Sequence, residues 1–191
     1  MNKSNSGLRK IVVASVMSAI SIIMGITHLG FIPWFSGASL TIMHVPVIIG
    51  AILEGPIVGM ITGLIFGVFS LIQASIGSTG PIDPYFTNPL ISVAPRILIG
   101  LATWGAYRLF QGKFEGVAVV VSAIVGSYVN SILVLSALAV FGAIPWAVIL
   151  GVLAGNSVAE AAAAAIISTA VILAWKGIDR RSGSSLEALE E

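Results

Sequence analysis

PIVGMITGLIFGVFSLIQASI, residues 56–76, runs from Pro56 to Ile76 without one charged side chain. A helix that crosses a bilayer needs about 20 mostly apolar residues, since each adds about 1.5 Å to a core about 30 Å thick. The stretch therefore predicts a membrane-spanning helix. Gly55, Gly59, Gly63 and Gly67 recur along it every four residues. That spacing places glycines on one helix face, where a second backbone can approach closely. Packing inside a helical bundle and docking of a partner helix both use such a face.

Working outward, five further apolar stretches have comparable character. The expected spans are residues 8–27, 40–53, 56–76, 89–110, 117–141 and 145–175. The second is short for a full crossing and the last is long enough to include an interfacial turn. The apolar run from Ile11 to Ile32 exceeds the core of a signal peptide and no small-residue cleavage site follows it, so it reads as the first span. Most prolines, including Pro33, Pro46, Pro81, Pro84, Pro89, Pro95 and Pro145, fall near span starts or in loops, as suits a residue without a backbone donor. The expected fold is an all-α membrane protein of six transmembrane helices over residues 1–180. Residues 181–191 form a polar tail, expected to be disordered.

Composition agrees. Of the 191 residues, 57% are hydrophobic and 9% charged, against about 25% charged in soluble domains. A soluble surface needs more polar groups than this. There is no cysteine, which excludes disulfides and thiolate metal sites. No basic stretch suggests nucleic acid as a partner.

Charge sets the orientation. Lys3, Arg9, Lys10, Arg108, Lys113, Lys176, Arg180 and Arg181 all fall on one side of a six-span path, and Arg96 lies within a span. The loops on the other side carry no Lys or Arg. The positive-inside rule then predicts cytoplasmic N- and C-termini in a bacterial plasma membrane protein.

Polar residues at membrane depth are costly and point to function. His44 opens the second span, Gln73 ends the third and Arg96 begins the fourth. Asn130 lies near the middle of the fifth. Asn156 and Glu160 lie about 16–23 Å into the sixth and, four residues apart, share one helix face. These groups gather in the outer half, whereas a conducting pore needs polar groups along its whole length. A pocket open to the outside fits better. Arg96 can hold a carboxylate through two parallel hydrogen bonds, or it can pair with Glu160. Glu160 can accept from a hydroxyl or an amine. The two histidines, His28 and His44, lack metal-site spacing, so no metal is expected.

Two outer loops lie above this region. Residues 30–39 carry Trp34, and residues 77–88, GSTGPIDPYFTN, carry Tyr85 and Asn88. Turn chemistry explains the Gly and Pro. Binding residues are also concentrated on such loops, so Trp34, Tyr85 and Asn88 join the candidate ligand contacts. In the first span, the small pairs Ala14/Ser18 and Ser15/Ala19 suit either bundle packing or the docking of a partner.

The sequence carries no Walker A loop, no H-E-x-x-H helix and no G-x-S-x-G elbow. Energy for active transport must come from an ion gradient or another subunit. A permease working alone and an intramembrane enzyme using His28, His44 or Glu160 are the alternatives.

The stretches TIMHVPVIIG (41–50), Glu54-Gly-Pro, the glycine-spaced third span and VAPRILIG (93–100) are similar to the S components of energy-coupling factor (ECF) transporters. The chain resembles the branch that handles pantothenate, hydroxymethylpyrimidine and pyridoxine-like compounds, with pantothenate slightly favoured by Arg96. The resemblance implies a vitamin-binding subunit that captures its ligand from outside, beneath the loops joining helices one to two and three to four. It implies a transmembrane T component and two cytoplasmic ATPases as partners, with ATP used by those ATPases and no cofactor in this chain. Toppling of the S component in the bilayer then releases the vitamin inward. The small pairs Ala14, Ser15, Ser18 and Ala19 loosely match the family's Ala-xxx-Ala docking motif.

Overall fold

The chain starts with a 24-residue helix, α1 (Lys3–Ile26), which ends where His28 adopts φ 59°. A small antiparallel hairpin follows, β1 (Phe31–Pro33) with β2 (Ser39–Thr41), in the register Phe31↔Thr41, Ile32↔Leu40 and Pro33↔Ser39. Next come α2 (Val45–Glu54) and α3 (Pro56–Ile76), then a short 3₁₀ turn (Asp83–Thr87). The chain continues with α4 (Pro89–Ser92), α5 (Ala94–Phe110), α6 (Glu115–Val140), α7 (Trp146–Ala154) and α8 (Asn156–Glu187). This computed structural model describes residues 3–33, 39–77, 81–112 and 115–187, with side chains at 6–30, 40–77, 81–112 and 115–177.

Among the described residues, five helical stretches are long and apolar enough to cross a membrane: Ser6–Ile26, Pro56–Ile76, Pro89–Phe110, Glu115–Val140 and Asn156–Gly177. Their outward surfaces are apolar, with Leu109 82% and Ile166 71% exposed, as lipid contact requires and water does not favour. The fold is helical except for the hairpin, which periodicity did not reveal.

The expected second span, residues 40–53, differs most from the structure. Leu40 and Thr41 belong to β2, and only the ten residues Val45–Glu54 are helical. Pro46 sits at the helix start, where its missing N–H costs nothing. At the other end Gly55 has φ 96°, a conformation that suits glycine, and it turns the chain into α3. Ten residues reach only about 15 Å, half the hydrocarbon core. Val45 through Ile52 are all buried, so α2 is a central post enclosed by α1, α3, α5, α6 and α8.

Two other spans are broken. The stretch 89–110 is divided at Val93 into α4 and α5, with Pro95 opening α5. The stretch 145–175 is divided at Gly155, which separates the peripheral α7 from α8.

The glycine face of α3 packs within the bundle. A Cβ on Gly59 would lie 2.6 Å from Ala51 Cβ and 2.9 Å from Gly100 Cα. One on Gly67 would lie 2.7 Å from Ser92 O, and one on Gly63 would strike the Arg96 carbonyl. The α3–α5 contact is thus backbone on backbone, which positions Arg96 against α3.

Ion pairs mark one end of the bundle. Arg9 Nε meets Glu54 Oε1 at 2.6 Å, joining the start of α1 to the end of α2. Lys176 on α8 pairs with Glu115 on α6 and donates to Tyr107 Oη on α5 at 3.0 Å. The N-terminal part of α1 and the C-terminal part of α8 therefore lie at the same end as the α2–α3 and α5–α6 turns.

Candidate functional site

The half-length α2 leaves space beyond its N-terminus, away from those ion pairs. A cavity of about 720 Å³ occupies it, within the size range of small-molecule sites. Met43, just before α2, contributes to its wall. Gln73 of α3, Arg96 of α5, Asn130 of α6, and Asn156 and Glu160 of α8 all line it. Five polar residues scattered over 88 positions of sequence thus meet at one cavity because four helices present them toward the space α2 leaves.

The other expected contacts lie elsewhere. His44 is fully buried at the N-cap of α2, outside the cavity lining, and its backbone carbonyl accepts from Ile48 N at 3.1 Å. Asn88 caps α4, its Oδ1 accepting from Leu90 N at 3.0 Å. Tyr85 sits in the 3₁₀ turn, 37% exposed and not on the cavity wall. Trp34 lies outside the described residues. Among the described residues no three of His, Asp or Glu come together as a metal site would need.

Arg96 is held in a defined pose. Its guanidinium lies 5.5 Å from the Phe66 ring centre and 5.3 Å from that of Phe86, between α3 and the 3₁₀ turn. Aromatic faces attract a cation, and the attraction grows when water is excluded. Nη1 donates to the Ile91 carbonyl at 2.5 Å, while the buried Nε has no hydrogen-bond partner among the described residues. Ser92 Oγ braces the same corner, donating to the Phe86 carbonyl at 2.5 Å and the Asn88 carbonyl at 2.9 Å. Arg96 and Glu160 do not pair with each other. Glu160 Oε1 instead accepts from Thr41 N at 2.7 Å, and Oε2 from Ser131 Oγ at 3.3 Å.

The cavity therefore has a cationic corner that pairs with no carboxylate among the described residues, and a separate wall of amides, hydroxyls and one carboxylate. Asn130 Oδ1, buried at that wall, also lacks a partner. A ligand carrying an anionic group together with hydroxyl or amide groups matches both parts.

Sequence reasoning missed Thr41, Ser131, Ser157 and Asp83, which also line the cavity, and the two phenylalanines around Arg96. Ser131 and Ser157 directly follow Asn130 and Asn156, and that adjacency was a usable signal. Thr41 contributes a backbone N–H to Glu160, which no side-chain pattern announces.

The family described as the ECF transporter, substrate-specific component, matches residues 9–173. The chain belongs to this family. Over 151 residues, 69% of this chain and 75% of the relative, it is 31% identical to the pantothenic acid transporter PanT of Lactococcus lactis subsp. cremoris (strain MG1363). As an ECF substrate-specific component, the chain is an integral membrane protein of transport, and its family is one of transporter components. The matched stretch contains all five of the cavity-lining residues expected from the sequence.

The four small residues of α1 divide between two faces. Ala14 and Ser18 are buried at 8% and 4%, whereas Ser15 and Ala19 face outward beside Val12, Val16 and Ile20.

Proposed function

We propose that this component captures pantothenate from the outer side of the membrane and hands it inward when an ATP-driven partner module acts on it. The observation that carries the reading is Arg96, a cation in the cavity with no carboxylate partner among the described residues. In this reading Arg96 holds the pantothenate carboxylate, while Asn130, Asn156 and Gln73 meet its amide and hydroxyls. The relationship to PanT supports the choice over hydroxymethylpyrimidine or pyridoxine-like ligands.

In the same reading the chain crosses the membrane six times. Hairpin and α2 together make the second crossing, and both termini are cytoplasmic with the ion-paired end inside. The clustering of Arg9 and Lys176 with Arg108 at the end opposite the cavity supports that orientation. Docking of the T component falls to the outward pair Ser15 and Ala19, since Ala14 and Ser18 are already used inside the bundle. The two ATPases supply the energy.

The test is a thermal-shift and equilibrium-binding series on the purified chain with pantothenate, hydroxymethylpyrimidine and pyridoxine. Pantothenate at 100 times its Kd adds about 2.7 kcal/mol of stability. A response to pyridoxine or the pyrimidine and none to pantothenate overturns the substrate assignment.

A further inference from the structure

The role of Glu160 follows from the ladder geometry of the hairpin. In an antiparallel pair, residues alternate between those that exchange hydrogen bonds and those that do not. Ile42 N donates to Gly30 O at 2.9 Å, which makes Gly30 and Ile42 a bonded pair. The neighbouring pair, Phe31 and Thr41, is then of the non-bonded kind, and the Thr41 N–H points away from β1. It is an edge donor, and it stands where a spanning helix would otherwise run. At such depth, backbone outside a helix is tolerated only when protein or a polar cavity satisfies it. The partner present is Glu160 Oε1 at 2.7 Å, from the second turn of α8. Ser131 of α6 holds the other carboxylate oxygen.

We propose that Glu160 is a positioning residue, the anchor that holds β2 against α8 and α6 and so fixes one wall of the ligand cavity. Three observations converge. The donor is a backbone group that the ladder itself leaves unpaired. Both carboxylate oxygens are taken by protein donors from two different elements. Thr41, Ser131 and Glu160 all line the cavity, so the anchor and the site share a wall. For ligand to leave past β2, the Thr41–Glu160 bond must break. The anchor therefore governs how long ligand stays more than how strongly any one group of it is recognised. This deepens the pantothenate reading and rests on it for the ligand used as probe.

The experiment compares Glu160→Gln, Glu160→Ala and Thr41→Pro in the full chain. Two quantities are read: amide hydrogen exchange over residues 39–43 without ligand, and the release rate of labelled pantothenate. Gln keeps a carbonyl that accepts from Thr41 and an amide that donates to Ser131, so it retains slow exchange and slow release. Ala removes the acceptor. Its exchange over residues 39–43 rises at least tenfold and release quickens by about ten- to a hundredfold, the span set by losing one hydrogen bond to a charged group. Thr41→Pro deletes the donor without removing a ladder bond, because that N–H faces outward, and it reproduces the effect of Ala. Combining Thr41→Pro with Glu160→Ala adds little to either alone.

Unchanged exchange in Glu160→Ala, or unchanged release in Thr41→Pro, overturns the proposal. So does equal loss of binding in Gln and Ala with exchange untouched, which would make Glu160 a direct ligand contact. If the unaltered chain binds no pantothenate, the substrate reading fails, and the ligand-free exchange series still decides the anchor. If Glu160→Ala fails to fold, Thr41→Pro and Glu160→Gln carry the comparison.

Discussion

Arg96 is stacked between Phe66 and Phe86 and tied through Nη1 to Ile91 O, so its position does not depend on ligand. A preorganised cation loses little freedom when an anion arrives. Arg96→Gln keeps a polar side chain but removes the charge, and it should weaken pantothenate binding by about 2–5 kcal/mol, the cost of truncating one partner of a buried charge pair. Isothermal titration of the purified variant measures this. Arg96→Lys should recover only part of the loss, because an ammonium cannot form the planar two-bond contact. At this scale the sequence was informative where a charged or amide side chain interrupted an apolar run: Gln73, Arg96, Asn130, Asn156 and Glu160 all reach the cavity. It was uninformative for Asn88, whose amide is used up in capping α4, and for His44, which is buried at the start of α2. Their side-chain chemistry suited binding equally well, and only the local backbone decided otherwise.

Among the elements, α2 and the hairpin shape the site. A helix of full length at this position would fill the space that ligand needs. Residues 40–53 read as one apolar run because Leu40 of β2 and residues 45–52 of α2 are buried, and a buried strand and a buried helix segment look alike without a clear period. The spans at 56–76 and 89–110 were readable because lipid contact imposes length and apolarity together. The α3–α5 contact gives a sharp prediction. Gly59→Leu drives a side chain into Ala51 and Gly100, and it should destabilise the fold by about 1–3 kcal/mol or more. Gly105→Ala in α5 meets nothing within 4 Å and should be neutral or stabilise by about 0.5–1 kcal/mol. Thermal unfolding in detergent distinguishes the two. On α1, Ser15→Trp should block co-purification with a T component while ligand binding persists. Ala14→Trp should lower the unfolding temperature instead, since Ala14 is buried. A Ser15→Trp protein that still co-purifies fully with the T component would remove α1 from the docking surface.

For the whole molecule, the two ends of the bundle differ in kind. One carries the ion pairs Arg9–Glu54 and Lys176–Glu115. The other opens into a cavity of about 720 Å³ lined by Arg96. In the proposed reading such a molecule binds on one side, and a partner module moves it to release the ligand on the other. The sequence carried that asymmetry in outline, through basic loops at one end and intramembrane amides toward the other. It did not carry the hairpin, whose Thr41 N–H is met by the carboxylate of Glu160 far along the chain. Reconstituted alone in liposomes, the chain should bind pantothenate and transport none, whatever ion gradient is imposed. Gradient-driven uptake by the isolated chain would contradict the need for partners.

The central claim is a partner-independent site that recognises a carboxylate through Arg96. Equilibrium binding of pantothenate to the purified chain, without ATP or other subunits, tests it most directly when paired with the analogue whose carboxylate is reduced to an alcohol. The account predicts saturable one-to-one binding of pantothenate and binding of the alcohol weaker by about 30-fold or more, the lower end of the cost of leaving a buried charge unpaired. Equal affinity for the two compounds, or no binding of either, would contradict it.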